Sequence, residues 1–66
     1  MVFKDRLKEL RNSKNISQMQ LAVKTGLSQS AIAKWELGKT EPSASAIIVL
    51  AHFFNETTDY LLGLED

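Results

Sequence analysis

The sequence predicts an all-α fold of five short helices. Apolar residues recur at spacings of three and four, as in the first segment, where Phe3, Leu7 and Leu10 lie among charged residues. Serine or threonine stands where each later segment begins, as helix N-caps commonly do. The sequence has no alternating strand pattern and no repeat. Because 66 residues suffice for only one compact core, we expect a single domain over residues 1–66.

The first two predicted helices are separated by a short turn. The first covers about 3–14 and is closed by Asn15, since asparagine tolerates the left-handed conformation that ends many helices. Ser17 caps the second helix, which covers about 18–25. Gly26 ends it, because glycine adopts positive φ at no steric cost.

A third helix is predicted after Ser28, ending near Leu37 and Gly38. Ile32 and Trp35 lie three residues apart, so both belong on its buried face, and Trp35 is interpreted as a core residue. The second and third helices are joined by a turn of three or four residues that contains glycine. Such a connection makes two helices cross steeply.

The last two helices follow a loop over residues 39–42, because proline disfavours helix in the residue before it. Ser43 caps the fourth helix, which reaches about Phe54 and is closed by Asn55. Thr57 or Thr58 opens a short fifth helix.

Charge is divided along the chain, although the formal net charge is zero. All eight Lys and Arg residues lie in 1–40 with three acids, a net +5, whereas 41–66 holds five acids and no Lys or Arg, a net −5. Such a split favours one face that binds a polyanion. A chance distribution in a short chain is the alternative.

Composition excludes several classes of protein. Without cysteine, and with His52 as the single histidine, the chain can form neither a disulfide nor a tetrahedral zinc site. No carboxylate pair with a nearby base and no phosphate-binding glycine loop is evident, so we expect no enzyme, cofactor, metal or small-molecule ligand. The longest apolar stretch, 46–51, is far shorter than the roughly 20 residues of a bilayer span. We expect a cytoplasmic protein without a membrane partner.

Several short motifs occur in register along the chain. They are Ser17-Gln18, Leu21-Ala22, the segment 25–30, Ile32, Trp35-Glu36, Gly38-Lys39, Pro42-Ser43 and the segment 57–63. Together they resemble the Cro/C1-type helix-turn-helix family of phage and bacterial repressors, and the similarity extends from about Arg6 to Gly63. The resemblance implies a compact five-helix, lambda-repressor-like DNA-binding domain, with the helix-turn-helix at about 17–37 and double-stranded DNA as its partner.

Base reading is expected from the start of the third helix, the part that enters the major groove in a helix-turn-helix. Its outward residues are Gln29, Ser30, Ala33 and Lys34. Gln29 can pair with adenine N6 and N7, and Lys34 can donate to guanine O6 or N7. Ser30 can bond either kind of base edge, and Ala33 can touch a thymine methyl. The alternative is a set of ordinary solvated side chains.

Phosphate contacts are expected on both sides of this helix. Gln18 begins the second helix, where its amide and the neighbouring N–H groups can bind phosphate with help from the helix dipole. Ser28, Lys39, Thr40 and Ser43 are the other candidates. For each of them, a solvated side chain without a DNA contact is the alternative.

Two further positions are interpreted through the resemblance. Family members often carry an ion pair at the positions of Arg11 and Glu36, which implies a link between the first and third helices. The chain departs from the family at Leu37, where asparagine is common, and at Glu56, where an apolar residue is usual. The first departure removes a possible phosphate contact.

The fourth helix is more apolar than one core face requires, since nine of the eleven residues 44–54 are apolar. Val49 and Phe53 fall outside the inner stripe, and Tyr60 and Leu64 extend the apolar surface. We predict a two-fold homodimer through these four residues, with core enlargement as the alternative. The predicted function is a sequence-specific transcriptional repressor that binds a pseudo-palindromic operator. The alternative is a protein-binding module, such as a DNA-binding antitoxin or the anchor of a larger complex.

Overall fold

Five α-helices make up the fold in a computed structural model that describes residues 2–65. No strand occurs within these residues. The helices are α1 (Val2–Ser13), α2 (Gln18–Thr25), α3 (Gln29–Leu37), α4 (Ala44–Phe54) and α5 (Thr58–Leu62). The predicted all-α, five-helix class is confirmed, and the bounds agree with the sequence-based expectation to within about one residue.

A hydroxyl residue caps the N-terminus of each helix from α2 onward. The caps Ser17, Ser28, Ser43 and Thr57 each accept a hydrogen bond from the backbone N–H three residues later, at 3.0 to 3.3 Å. At α2 the bond is reciprocal, because Gln20 Oε1 accepts from the Ser17 N–H at 2.7 Å. Thr57, not Thr58, is therefore the cap of α5.

Residues in the left-handed backbone conformation follow the helices at the positions that the sequence predicts. Asn15 and Asn55 both have φ of 56°, which is tolerated by asparagine but costly for most side chains. Gly26 follows α2 with φ of 77°, and its N–H donates to Ala22 O at 2.8 Å. These three residues stop α1, α4 and α2 and turn the chain toward the next element.

The core contains residues from all five helices. Its fully buried side chains are Leu7, Leu21, Ile32, Leu50 and Leu61. Phe3 of α1 meets Trp35 of α3 edge to face, with ring centroids 6.4 Å apart. Helix α1 packs against α3 and α5, and α2 packs against α3 and α4. Trp35 is thus a core residue, as predicted, and it anchors α3 by its inner face. Between residues 2 and 65, every helix is too short or too polar to cross a membrane.

Candidate nucleic-acid interface

Residues 29–34 of α3 present short, amide-bearing and basic side chains to solvent. Gln29, Ser30 and Lys34 are exposed, and Ala33 is half-buried. Ile32, on the opposite face, is fully buried and fixes the rotation of the helix about its axis. Ser30 Oγ lies 2.9 Å from Ser28 Oγ, so this hydroxyl is shared with the helix cap. The structure thus brings the four predicted base-reading residues onto one outward side of α3.

The turn between α2 and α3 is held by its own hydrogen bonds. Three residues separate the two helices. Thr25 Oγ1 donates to Leu21 O at 2.7 Å and accepts from the Leu27 N–H at 3.3 Å. With Gly26 in the left-handed conformation, these bonds set the direction in which α3 leaves α2. The N-terminus of α3 is therefore held at a fixed orientation relative to α2.

A buried ion pair joins α1 to α3. Arg11 Nε contacts Glu36 Oε2 at 2.7 Å, and Arg11 Nη2 contacts Glu36 Oε1 at 2.9 Å. Arg11 Nη1 also donates to Ile16 O at 2.8 Å. Glu36 is 4% exposed, so its carboxylate has almost no access to water. The guanidinium fork replaces that water with two parallel hydrogen bonds.

Opposing effects act on the ionisation of Glu36. Burial raises its pKa, whereas the hydrogen bonds from Arg11 and Gln18 and the positive charges of Arg11 and Lys8 lower it. The attractive contributions outweigh burial, so the pKa of Glu36 lies below its ordinary value. The hydrogen bonds that Arg11 donates to Glu36 raise the pKa of Arg11, despite the opposing effect of burial. Both partners are therefore charged at neutral pH.

The predicted phosphate-contact residues differ in exposure and in whether their side chains already make hydrogen bonds within the protein. Lys39 and Thr40 are exposed in the loop after α3. The hydroxyls of Ser28 and Ser43 already accept the capping hydrogen bonds of α3 and α4. Gln18 is half-buried, and its Nε2 donates to Glu36 Oε1 at 3.1 Å. That bond joins a predicted phosphate contact to the buried ion pair, and sequence reasoning missed it.

Comparison with known proteins identifies the family of this arrangement. Residues 7–61 match a helix-turn-helix family model. The chain belongs to the Cro/C1-type helix-turn-helix family.

Among its curated relatives, the HTH-type transcriptional activator BcrR of Enterococcus faecalis is 41% identical over 66 residues, which are 100% of this chain and 32% of BcrR. The HTH-type transcriptional regulator AnsR of Bacillus subtilis is 44% identical over 61 residues, 92% of this chain and 53% of AnsR. The prophage-derived regulator YonR of the same species is 36% identical over 61 residues, with 56% of its length covered. The chain thus spans from about a third to about half of the length of these relatives.

This Cro/C1-type domain also carries a groove of about 470 Å³ between α2 and α4. Val49 and Phe53 line it, as do Ile48, His52, Lys24 and Thr25. Ile48 is 60% exposed and was missed by sequence reasoning, although the run 46–51 contains more apolar residues than one helix face can bury. The groove therefore contains two of the four residues predicted for a dimer interface and adds Ile48 to them.

The other two predicted interface residues have different surroundings. The guanidinium of Arg6 covers the ring of Tyr60, which is half-buried. Leu64 is 72% exposed. Neither residue is part of the lining of the α2–α4 groove. The groove therefore accounts for two of the four predicted interface residues, and a cation covers the ring of Tyr60.

Proposed function

We propose that this domain binds double-stranded DNA and reads its sequence in the major groove through residues 29–34 of α3, thereby regulating transcription. The observation that carries the proposal is the outward row Gln29, Ser30, Ala33 and Lys34 on a helix whose opposite face is fixed by Ile32. Side chains of this length allow the helix backbone to approach the base edges closely. Transcriptional regulation is also the activity named for the relatives BcrR, AnsR and YonR.

Backbone contacts would position the domain on the duplex. Lys39 and Thr40 follow α3, and Gln18 begins α2, so the three residues flank the reading helix in the chain. Contacts of this kind carry affinity without reading sequence. Ser28 and Ser43 would contribute through the N-termini that they cap, since their hydroxyls are already hydrogen-bonded.

We further propose that the domain acts as a homodimer on a pseudo-palindromic operator and represses by occupying it. Two reading helices related by a two-fold axis would reach successive major grooves about 34 Å apart. A single reading helix offers few base contacts, so dimerisation would increase specificity. Because BcrR is named an activator, the direction of regulation needs its own test, in which a promoter carrying the selected site drives a reporter.

The experiment that tests the proposal is selection of bound duplexes from a random pool, followed by titration of the enriched duplex at several salt concentrations. An inverted repeat with half-sites about one helical turn apart supports a dimeric sequence reader. Affinity that falls steeply with salt supports contacts with phosphates. Failure to enrich any sequence would contradict the proposal.

A protein-binding module is the second candidate, and the groove between α2 and α4 favours it. Its apolar lining of Ile48, Val49 and Phe53 is flanked by Lys24 and His52, so it suits another protein as well as a second copy. Light scattering separates these outcomes. A stable homodimer that buries Val49 and Phe53 uses this surface, whereas a monomer leaves it free for a different partner.

A further inference from the structure

The side chain of Gln18 is held in one orientation by the carboxylate of Glu36. Gln18 Nε2 donates to Glu36 Oε1 at 3.1 Å, and the same oxygen accepts from Arg11 Nη2 at 2.9 Å. Glu36 Oε2 accepts from Arg11 Nε at 2.7 Å. Since a planar guanidinium holds both of its oxygens, the carboxylate cannot rotate away from Gln18. The first residue of α2 is thus fixed by a residue near the end of α3.

The hydrogen bond also determines what Gln18 can offer a ligand. A primary amide has two N–H hydrogens and one carbonyl oxygen. The carbonyl oxygen cannot face Glu36, because two acceptors repel, so the NH₂ end must turn toward the carboxylate. One hydrogen is used there and the second remains. Gln18 is only half-buried, so a ligand that solely accepts hydrogen bonds can reach the remaining donor.

Charge does not prevent an anion from approaching this amide. Glu36 alone would repel a phosphate, but the paired Arg11 offsets its charge within 2.7 Å. A phosphate near Gln18 therefore meets an uncharged N–H donor, and the Arg11–Glu36 pair behind that donor has no net charge. The carboxylate therefore orients the amide, and the ion pair to which it belongs carries no net charge.

We propose that Glu36 is a positioning residue for DNA binding, which holds the Gln18 amide with its free N–H ready for a backbone phosphate. The proposal rests on the proposed DNA-binding function and extends it to a residue that touches no DNA itself. The pair of Arg11 and Glu36 would then act beyond the stability of the fold. Its removal should lower DNA affinity in a protein that remains fully folded.

The test is a double-mutant cycle on affinity for a mixed-sequence duplex of about two helical turns, since phosphate contacts do not depend on sequence. Gln18→Ala should weaken binding about 3- to 10-fold, the value of one lost hydrogen bond. Glu36→Gln should weaken it by a similar factor. Electrostatics alone predicts the opposite sign, because this substitution makes the net charge one unit more positive and would tighten binding.

A double variant tests the same role without leaving an unpaired buried charge that could unfold the protein. Arg11→Met/Glu36→Met replaces both charges by apolar side chains of similar length, a change that buried pairs often tolerate. It leaves the net charge unchanged and removes the acceptor for Gln18. It should reproduce the affinity loss of Gln18→Ala and add nothing in the Gln18→Ala background. Circular dichroism at the titration temperature shows that each variant is folded.

Gln20 provides the matched control, because it lies on the same helix and its side chain bonds the Ser17 N–H instead of Glu36. The effect of Gln20→Ala on affinity should multiply with that of Arg11→Met/Glu36→Met. In the free protein, ¹⁵N relaxation should show a more ordered side-chain amide for Gln18 than for the exposed Gln29, with the difference lost in Arg11→Met/Glu36→Met.

The outcomes separate the two proposals. Duplex binding with losses that multiply between Gln18→Ala and Arg11→Met/Glu36→Met would overturn the positioning role alone. A Gln18 amide as mobile as that of Gln29 in the wild-type protein would do the same. Absence of binding to any duplex would overturn the DNA-binding function and the positioning role together.

Discussion

The guanidinium of Arg6 lies over the ring of Tyr60, 4.2 Å from the ring centroid, and joins α1 to α5. Arg6 Nη1 also donates to the carbonyl oxygens of Tyr60 and Glu65. The Tyr60 carbonyl lies in the last turn of α5, where a helix carries partial negative charge, and Glu65 follows the helix. A five-residue helix is too short to be stable alone, so the cation of α1 supplies part of what holds α5 in place.

Arg6→Met should therefore destabilise the fold by about 2 kcal/mol, because it removes charged hydrogen bonds and the cation–π contact while retaining apolar bulk. Arg6→Lys should fall between wild type and Arg6→Met, since an ammonium lacks the planar fork of the guanidinium. Urea unfolding measures the difference. Lys39→Met, which removes an exposed cation from a loop, should change stability by less than about 0.5 kcal/mol. Equal losses for Arg6→Met and Lys39→Met would contradict the role of Arg6.

The lowered pKa of Glu36 predicts a loss of stability in acid. A carboxyl whose pKa is lower in the folded than in the unfolded protein contributes stability above the unfolded value, and this contribution is lost as the pH falls through the folded value. The free energy of unfolding should thus begin to decrease below the ordinary value of 4.5. The hydrogen bond from Gln18 is one of the contacts that lower the pKa of Glu36. Gln18→Ala removes it and should therefore reduce the acid-dependent loss of stability.

Glu36→Gln is the decisive variant for that dependence. It should lack the acid-dependent component and lose about 3 kcal/mol at neutral pH, because it leaves Arg11 without its buried partner. Urea titrations between about pH 2 and pH 7, an interval that includes the protonation of carboxyls, compare the variants. If Glu36→Gln loses stability in acid as steeply as wild type, other carboxyls account for the dependence.

Helix bounds were predictable from the sequence because single residues determine them locally. Asn15, Asn55 and Gly26 adopt the left-handed conformation wherever the chain needs to leave a helix, and their chemistry permits it without a tertiary partner. Ser17 likewise bonds a backbone group three residues away. Helical spacing also placed Trp35 in the core. The caps and helix ends form without any distant part of the chain, and the position of Trp35 follows from helical spacing alone.

Contacts between distant residues were not predictable in the same way. Arg6 and Tyr60 are 54 positions apart, and nothing in their spacing indicates that one covers the other. The bond between Gln18 and Glu36 depends on side-chain rotamers in two helices. For the same reason, a single apolar surface containing both Val49 and Tyr60 could be inferred from helical periodicity, whereas the shielding of Tyr60 by Arg6 could not.

Base reading by α3 predicts a contrast between two variants. Gln29→Ala should cost about 1–3 kcal/mol on the selected operator and relax the preference at one base step, because it removes a bidentate contact. Lys39→Ala should weaken binding about equally on operator and mixed-sequence DNA and lower the salt slope by about 1, because it removes a phosphate contact. Titrations on both duplexes at several salt concentrations measure this. An equal loss on the two duplexes for Gln29→Ala would contradict its role as a reader.

Dimerisation through α4 predicts that Val49→Glu and Phe53→Glu give folded monomers. A carboxylate in the apolar groove would be desolvated in a dimer, which is costly, whereas in a monomer it stays in water near Lys24, which lines the same groove. Multi-angle light scattering gives the mass, and titration of an inverted-repeat operator should show weaker binding by both variants. Val23→Glu is the matched control, because Val23 is 76% exposed on α2 and does not line the groove, so this variant should remain dimeric. A wild-type protein that is dimeric and keeps its mass in both Val49→Glu and Phe53→Glu would place the interface on another face.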